Sequence, residues 1–190
     1  MDNKKAFTLI EIVVSVTIFV LMVTAASGLF VSGLKAQRQS LASQQLLDQT
    51  SYVLEYMSRA LRMAKKELFN HAYSCLTTHG NNYENPAGNT SKIRFIKFNY
   101  EANQDFCHEF SLQNGILQEY KKNLETGEES TQPLISADLT IKSLYFNLAG
   151  HTQQDDLQPK ITTFLDIEGQ EQSGIKIQTT ISQRNPDIRK

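Results

Sequence analysis

The chain has 190 residues, which suits one membrane segment plus one globular domain and leaves little room for two catalytic domains. Its 19 basic and 20 acidic side chains give a net charge of −1, so no whole-chain field draws the protein to nucleic acid or to an anionic surface. A nucleic-acid partner would need a local basic patch, and the sequence leaves that question open.

A long apolar run occupies residues 6–34, and Glu11 is its only charged side chain. As a helix rising about 1.5 Å per residue, residues 7–34 would span about 42 Å, more than the ~30 Å hydrocarbon core of a bilayer. Secretory signal peptides have a shorter apolar stretch of about 7 to 15 residues. The run therefore predicts a transmembrane helix. Lys4 and Lys5 precede it, which predicts a cytoplasmic N-terminus and an extracytoplasmic location for residues 35–190.

Glu11 is the unusual residue of this span. A charged side chain in hydrocarbon costs on the order of 3 kcal/mol or more, and those that persist usually have a partner. The carboxylate therefore points to assembly with other chains. The alternative is a glutamate that extends to the lipid headgroups and has no further role.

The segment from Lys4 to Glu11, KKAFTLIE, leads directly into the apolar helix and resembles the class III signal of type IV pilin-like proteins. In that family a membrane-embedded prepilin peptidase cuts before the Phe and methylates the new amino group, and the apolar stretch stays on the mature protein. The resemblance implies a leader at residues 1–6, cleavage between Ala6 and Phe7, and a methylated amine at Phe7. This chain has Ala6 where the family usually has Gly.

The same resemblance implies an assembly role for Glu11, whose carboxylate would compensate the amine of Phe7 on the same chain or on a neighbour. It also implies the partners of the family: other pilin or pseudopilin subunits, the prepilin peptidase, the cytoplasmic membrane, an assembly platform and an ATPase. The expected location is a single pass through the cytoplasmic (inner) membrane, and then a cell-surface or periplasmic filament.

Residues 35–69 contain no Gly and no Pro, which predicts that the helix continues outward to residue 69. Apolar residues at three- and four-residue steps predict an amphipathic continuation that packs against the chain's own sheet, with a coiled-coil seam as the alternative. The predicted stripe comprises Leu47, Leu54, Met57, Leu61, Ala64 and Leu68.

Residues 70–190 predict a β-rich extracytoplasmic headpiece. A Gly- and Asn-rich loop at 74–91 is followed by alternating apolar runs, with a polar turn region around 125–132. The fold class is therefore α+β, a long N-terminal helix packed on an antiparallel sheet of five to seven strands. The size of this headpiece resembles that of larger minor pilins or minor pseudopilins. The predicted strands are 92–100, 106–112, 116–121, 139–148, 160–168 and 174–182.

The two cysteines, Cys75 and Cys107, both lie in the predicted extracytoplasmic part, where disulfides persist. We expect a bridge that closes about 33 residues and stabilises the fold by about 3 kcal/mol. Two free buried thiols are the alternative.

Three histidines, His71, His79 and His108, accompany these cysteines, but no standard zinc-finger spacing is present. Asp155 and Asp156 are typical of a solvated turn rather than of a calcium site. We therefore expect no metal and no cofactor. The sequence also lacks G-x-S-x-G, H-E-x-x-H, a phosphate-binding loop and a dinucleotide fingerprint, so we do not expect an enzyme.

The leading hypothesis is a structural subunit, a minor pilin or pseudopilin of a type IV pilus, a type II secretion system or a competence filament. The alternative is a single-span, membrane-anchored extracytoplasmic binding module that keeps its first six residues and never polymerises. An envelope hydrolase would require a polar cluster in a pocket that the sequence does not reveal.

Overall fold

The computed structural model describes residues 7–67, 72–152 and 157–184. The chain divides into two compact units, Met1–Leu41 and Ala42–Lys190. One helix, α1, runs through Leu9–Arg62 and is followed by nine described strands. These are β1 Ala64–Lys65, β2 Tyr83–Glu84, β3 Lys92–Asn99, β4 Gln104–Gln113, β5 Ile116–Asn123, β6 Glu129–Pro133, β7 Thr140–Ala149, β8 Lys160–Glu168 and β9 Gly174–Ser182, with a short 3-10 helix at Pro86–Gly88 between β2 and β3.

The second half of α1 buries one face against the sheets, as its apolar spacing predicts. The buried positions follow three- and four-residue steps, which keep them on one face of a helix. Leu47, placed on the packing stripe by the sequence, is 48% exposed, while its neighbour Leu46 is buried. The buried set is Leu46, Thr50, Val53, Met57, Ala60 and Leu61.

Helix α1 ends at Arg62, earlier than the predicted residue 69. The Met63 amide donates to Ala60 O over 3.2 Å, a tight last turn, and the chain then enters the sheet. Ala64 lies opposite Lys97 of β3 and is fully buried. Burial and strand pairing have thus outweighed the good helix propensity of residues 63–67. Leu68 and the predicted helix end at Phe69 lie outside the described residues.

The strands form two antiparallel sheets rather than the single sheet predicted. The first has the order β1-β3-β4-β5-β6, with β2 also paired to β3, and the second has the order β7-β8-β9. Two backbone hydrogen bonds connect β7 to the first sheet's loops, from the Ile141 amide to Gly115 O at 2.8 Å and from the Phe146 amide to Thr90 O at 2.7 Å.

Six strands match the predicted segments closely, and three were missed. β1 and β2 contain two residues each, too few for a periodic signal. β6 lies in the predicted turn region, and all five of its residues are exposed. A strand of that kind carries no alternation of apolar and polar residues, so its pairing with β5 had no signature in the sequence.

The main core lies between the second half of α1 and the two sheets. Leu61 of the helix, Phe95 and Phe110 of the first sheet, and Leu144 and Phe146 of the second sheet are all buried in it. A smaller cluster, formed by Cys75, Leu76, Ile96, Cys107 and Leu124, packs separately. Because side chains alternate along a strand, Ile96 and Cys107 point to the face of the first sheet opposite Phe95 and Phe110.

Candidate assembly site

The start of α1 is closed by a reciprocal cap between Thr8 and Glu11. Glu11 Oε2 accepts hydrogen bonds from the Thr8 backbone amide and from Thr8 Oγ1, each at 3.0 Å. The Glu11 amide in turn donates to Thr8 Oγ1 over 3.4 Å. This is a capping box, in which Thr precedes the first helical residue and Glu is the third. The T-L-I-E pattern carries that signal, which the sequence analysis did not use.

The cap uses only one oxygen of the Glu11 carboxylate and leaves the other able to accept a further hydrogen bond. Both side-chain bonds go to Oε2, and none of the described residues donates to Oε1. Phe7, the expected first residue after processing, is 80% exposed one helical turn from Glu11. Ala6 and the rest of the leader lie outside the described residues. The geometry therefore places a carboxylate oxygen within one turn of the position where cleavage would create an amine.

Beyond the cap, the helix presents a largely apolar surface as far as Leu34. Every residue from 7 to 40 is exposed, and the apolar side chains among them surround the helix on all sides. Three hydroxyls in this stretch donate to carbonyls one turn back, from Thr17 to Val13 O, from Thr24 to Val20 O and from Ser27 to Val23 O. These bonds satisfy the hydroxyls without water. By length and composition, α1 is able to cross a membrane.

A buried glutamate joins the second half of α1 to the first sheet. Glu119 of β5 is fully buried, and Tyr56 of the helix donates its phenol proton to Glu119 Oε2 over 2.7 Å. Gln132 Nε2 of β6 and Lys121 Nζ also reach Oε2, each at 3.0 Å, and His108 Nδ1 of β4 lies 2.9 Å from Oε1. Sequence reasoning did not find this cluster, because Tyr56 and Glu119 are 63 positions apart in the chain.

The ionisation of this cluster follows from its contacts. Burial opposes the charge on Glu119, but the hydrogen bonds from His108, Tyr56 and Lys121 outweigh it and lower the pKa of the carboxyl to about 2. Burial lowers the pKa of His108, and the charges of Lys97 and Lys121 act in the same direction against the opposing effect of Glu119. His108 is therefore neutral at pH 7, with its proton on Nδ1, since a carboxylate only accepts.

A disulfide links the loop after the helix to the first sheet. Cys75 and Cys107 are joined, with their Cα atoms 5.4 Å apart. Glu67, two residues after β1, stabilises the same loop. Its buried carboxylate accepts hydrogen bonds from the Cys75 amide at 2.7 Å, from the Leu76 amide and from Ser74 Oγ at 3.2 Å. Because Cys107 points to the face of the sheet opposite Phe110, the disulfide places the loop on that face.

The histidine and aspartate positions considered for a metal are not brought together in the described part of the chain. His108 contacts Glu119, and the two cysteines are consumed by the disulfide. Within residues 7–67, 72–152 and 157–184 there is no group of three or more His, Cys, Asp or Glu that could hold a metal ion. His71, Asp155 and Asp156 lie outside the described residues.

Comparison with known proteins adds one finding. The family model described as the prokaryotic N-terminal methylation motif matches residues 1–27. No curated protein and no solved structure matches the chain. The motif indicates a structural subunit that is processed by a prepilin peptidase and assembles with other pilins in the membrane, and the apolar helix fits anchoring in the inner membrane. Together, the motif and the long apolar helix behind it support a type IV pilin-like protein.

Proposed function

We propose that this protein is a minor pilin or pseudopilin, a structural subunit of a type IV pilus, a type II secretion system or a competence filament. The leader of residues 1–6 is removed between Ala6 and Phe7, and the mature subunit assembles through its apolar helix and Glu11. The methylation motif at residues 1–27 supports the class of protein. Cys75 and Cys107 stabilise the headpiece that the filament carries.

One observation carries the proposal: the described apolar half of α1 is exposed along its whole length and bears a single carboxylate at its start. Such a surface is stable only in lipid or against other apolar helices. In a helix that served solely as an anchor, the cap with Thr8 would be the only gain from this carboxylate, and the charge itself costs free energy in hydrocarbon. A neighbouring subunit's amine would offset that cost, and Glu11 Oε1 has the free lone pairs to accept it.

The decisive experiment compares Glu11→Ala with Glu55→Ala in cells that make the filament. Glu55 is an exposed glutamate on the same helix, paired with Arg59, and serves as the matched control. Each variant is measured in the membrane fraction and in purified filaments. We expect Glu11→Ala to insert normally and to be strongly depleted from filaments, and Glu55→Ala to resemble the wild type. Unimpaired incorporation of Glu11→Ala would contradict the role of this carboxylate.

The competing function is a membrane-anchored binding module that is not polymerised, and Ala6 at the cleavage position is the feature that favours it. Mass spectrometry of the N-terminus distinguishes the two. A methylated Phe7 supports the filament subunit, whereas an intact Met1 in cells with an active peptidase supports the anchor.

A further inference from the structure

The outer edge of β9 is a long, regular strand edge with few of the usual protections. Among the described residues, β9 pairs with β8 alone, and nine consecutive pairs join the two strands without a bulge. Free edges of this kind are templates for strand addition, and proteins usually blunt them with charges, prolines, bulges or short length. β9 contains nine residues, no Pro and one charged side chain, Lys176.

The other sheet edges differ from β9. β6 is five residues long, begins with Glu129 and ends with Pro133, which lacks an amide proton. β7 has a bulge between Ile141 and Ser143, and its amides at Ile141 and Phe146 already donate to Gly115 and Thr90. Of the long described strands, β9 therefore presents the least protected edge.

The backbone groups that face outward can be assigned from the two ends of the hairpin. The Gly169 amide donates to Ser173 O, and the Gln183 amide donates to Pro159 O. Because hydrogen-bonded and non-hydrogen-bonded pairs alternate in an antiparallel ladder, the odd-numbered residues of β9 bond to β8. The even-numbered residues direct their amide and carbonyl groups away from β8, and these residues are Gly174, Lys176, Gln178, Thr180 and Ser182.

Two exposed aromatic side chains, Tyr145 and Phe164, form a row across the second sheet that ends at Gln178 of the edge strand, and we call it the aromatic row. Tyr145, Phe164 and Gln178 lie directly opposite one another across β7, β8 and β9, so their side chains share the outer face of the sheet. Tyr145 is 52% exposed and Phe164 is 39% exposed. A hollow of about 420 Å³ lies beside them, and Lys176 and Gln178 of the edge strand are among its lining residues. On the opposite face, Ile175 and Ile177 are only partly covered.

We propose that the β9 edge accepts an extended strand from another protein and so continues the second sheet. The added strand has alternating apolar residues. One set covers Ile175 and Ile177, and the other places an aliphatic or aromatic side chain beside Gln178, where it extends the aromatic row. The side chain of Lys176 is 82% exposed, and its Nζ lies 3.2 Å from Asp166 Oδ2. It can therefore also pair with an acidic residue of the added strand. This binding surface goes beyond the subunit role and does not depend on whether the chain polymerises.

A different protein fits this edge better than a second copy of the chain does. If two β9 edges paired antiparallel about their centres, Gln178 would face Gln178, and the aromatic row would continue with an amide. Lys176 would then lie opposite Thr180 and would gain no acidic partner. Self-pairing is therefore the alternative outcome that the test must detect.

The first test adds a synthetic strand to the full-length protein in a mild detergent. The probe is a peptide with the sequence of residues 160–168, KITTFLDIE, since β8 already pairs with β9 and supplies the required alternation, a Phe opposite Gln178 and an Asp opposite Lys176. A peptide of the same composition without the alternation is the control. We expect the strand peptide to bind at least about tenfold more tightly. Equal binding, or no binding of either peptide, would overturn the proposal.

Hydrogen exchange locates the added strand. In the protein alone, we expect the amides of Lys176, Gln178 and Thr180 to exchange quickly and those of Ile177 and Thr179 to be protected. The strand peptide should then slow the first set and leave the second set unchanged. Protection of the first set before peptide is added, at any protein concentration, would mean that the edge is already covered and would refute the proposal.

A proline variant tests the backbone contact directly. Gln178→Pro removes an outward amide but no bond to β8, and Gln178→Ala controls for the loss of the side chain. We expect the proline variant to bind the peptide about tenfold more weakly than the alanine variant, with an unchanged near-ultraviolet circular dichroism spectrum. If the proline variant fails to fold, hydrogen exchange on the wild type still decides. Sedimentation that reveals a dimer abolished by Gln178→Pro would assign the edge to a second copy instead.

Discussion

Replacing Glu119 by Gln tests how the helix is held on the sheet. The substitution preserves size but removes the charge that His108, Tyr56 and Lys121 surround. The buried cluster would therefore lose its charge-assisted hydrogen bonds, and this loss destabilises the folded state.

The magnitude follows from the pKa. A fall from the ordinary value of 4.5 to about 2 corresponds to about 3 kcal/mol of stabilisation by the ionised carboxylate, at about 1.4 kcal/mol per pKa unit. Because the folded pKa is depressed, this contribution is complete above the unfolded pKa and is lost as the pH falls from about 5 to about 2. The lowered pKa of His108 acts in the same direction, since the unfolded state takes up that proton first.

The assay is urea unfolding of the full-length protein in a nonionic detergent, followed by the near-ultraviolet circular dichroism of its seven tyrosines. At pH 7 we expect Glu119→Gln to lower the free energy of unfolding by about 3 kcal/mol, and we expect the difference from wild type to shrink toward zero near pH 2. Glu128→Gln, at an exposed position before β6, is the control and should change stability by less than about 0.5 kcal/mol. A variant as stable as wild type at pH 7, or a difference that persists in acid, would refute the reasoning.

Three further substitutions test the remaining contacts. Tyr56→Phe should lower the free energy of unfolding by about 1 to 2 kcal/mol in the same assay and raise the pKa of Glu119, and an unchanged acid transition would contradict this. Replacing both Cys75 and Cys107 by Ser should cost about 3 kcal/mol of stability, and free thiols at these positions in protein taken from the cell envelope would count against the bridge. Ala6→Gly should speed removal of the leader, followed by pulse labelling and N-terminal mass spectrometry, whereas equal rates would show that this side chain does not limit cleavage.

The start of the chain was readable from its sequence because the relevant interactions are local. The apolar run predicts a transmembrane helix, and the capping residues Thr8 and Glu11 are three positions apart, so the T-L-I-E pattern alone contains the cap. The same holds for β8 and β9, whose alternation of apolar and polar residues matches the observed bounds. Local spacing is sufficient wherever one element can be recognised without its partners.

The helix end and strand β6 were not readable in that way. Residues 63–67 have good helix propensity, but Ala64 is buried opposite Lys97, a contact between positions 33 apart that no local pattern records. β6 exists only because β5 offers it hydrogen bonds, since its own side chains are all exposed. Propensity is a weak preference, and tertiary pairing overrides it at both places.

The amino-acid sequence by itself indicated the class of protein, the apolar helix with its single carboxylate, and the order of the helix and six of the strands, because each depends on residues within a few positions of one another. The tertiary structure alone decided that Glu119 is buried among Tyr56, His108 and Lys121, and that no other described strand pairs with the outer edge of β9. Both features depend on which distant segments pack together, and packing minimises the free energy of the whole domain rather than that of any one segment.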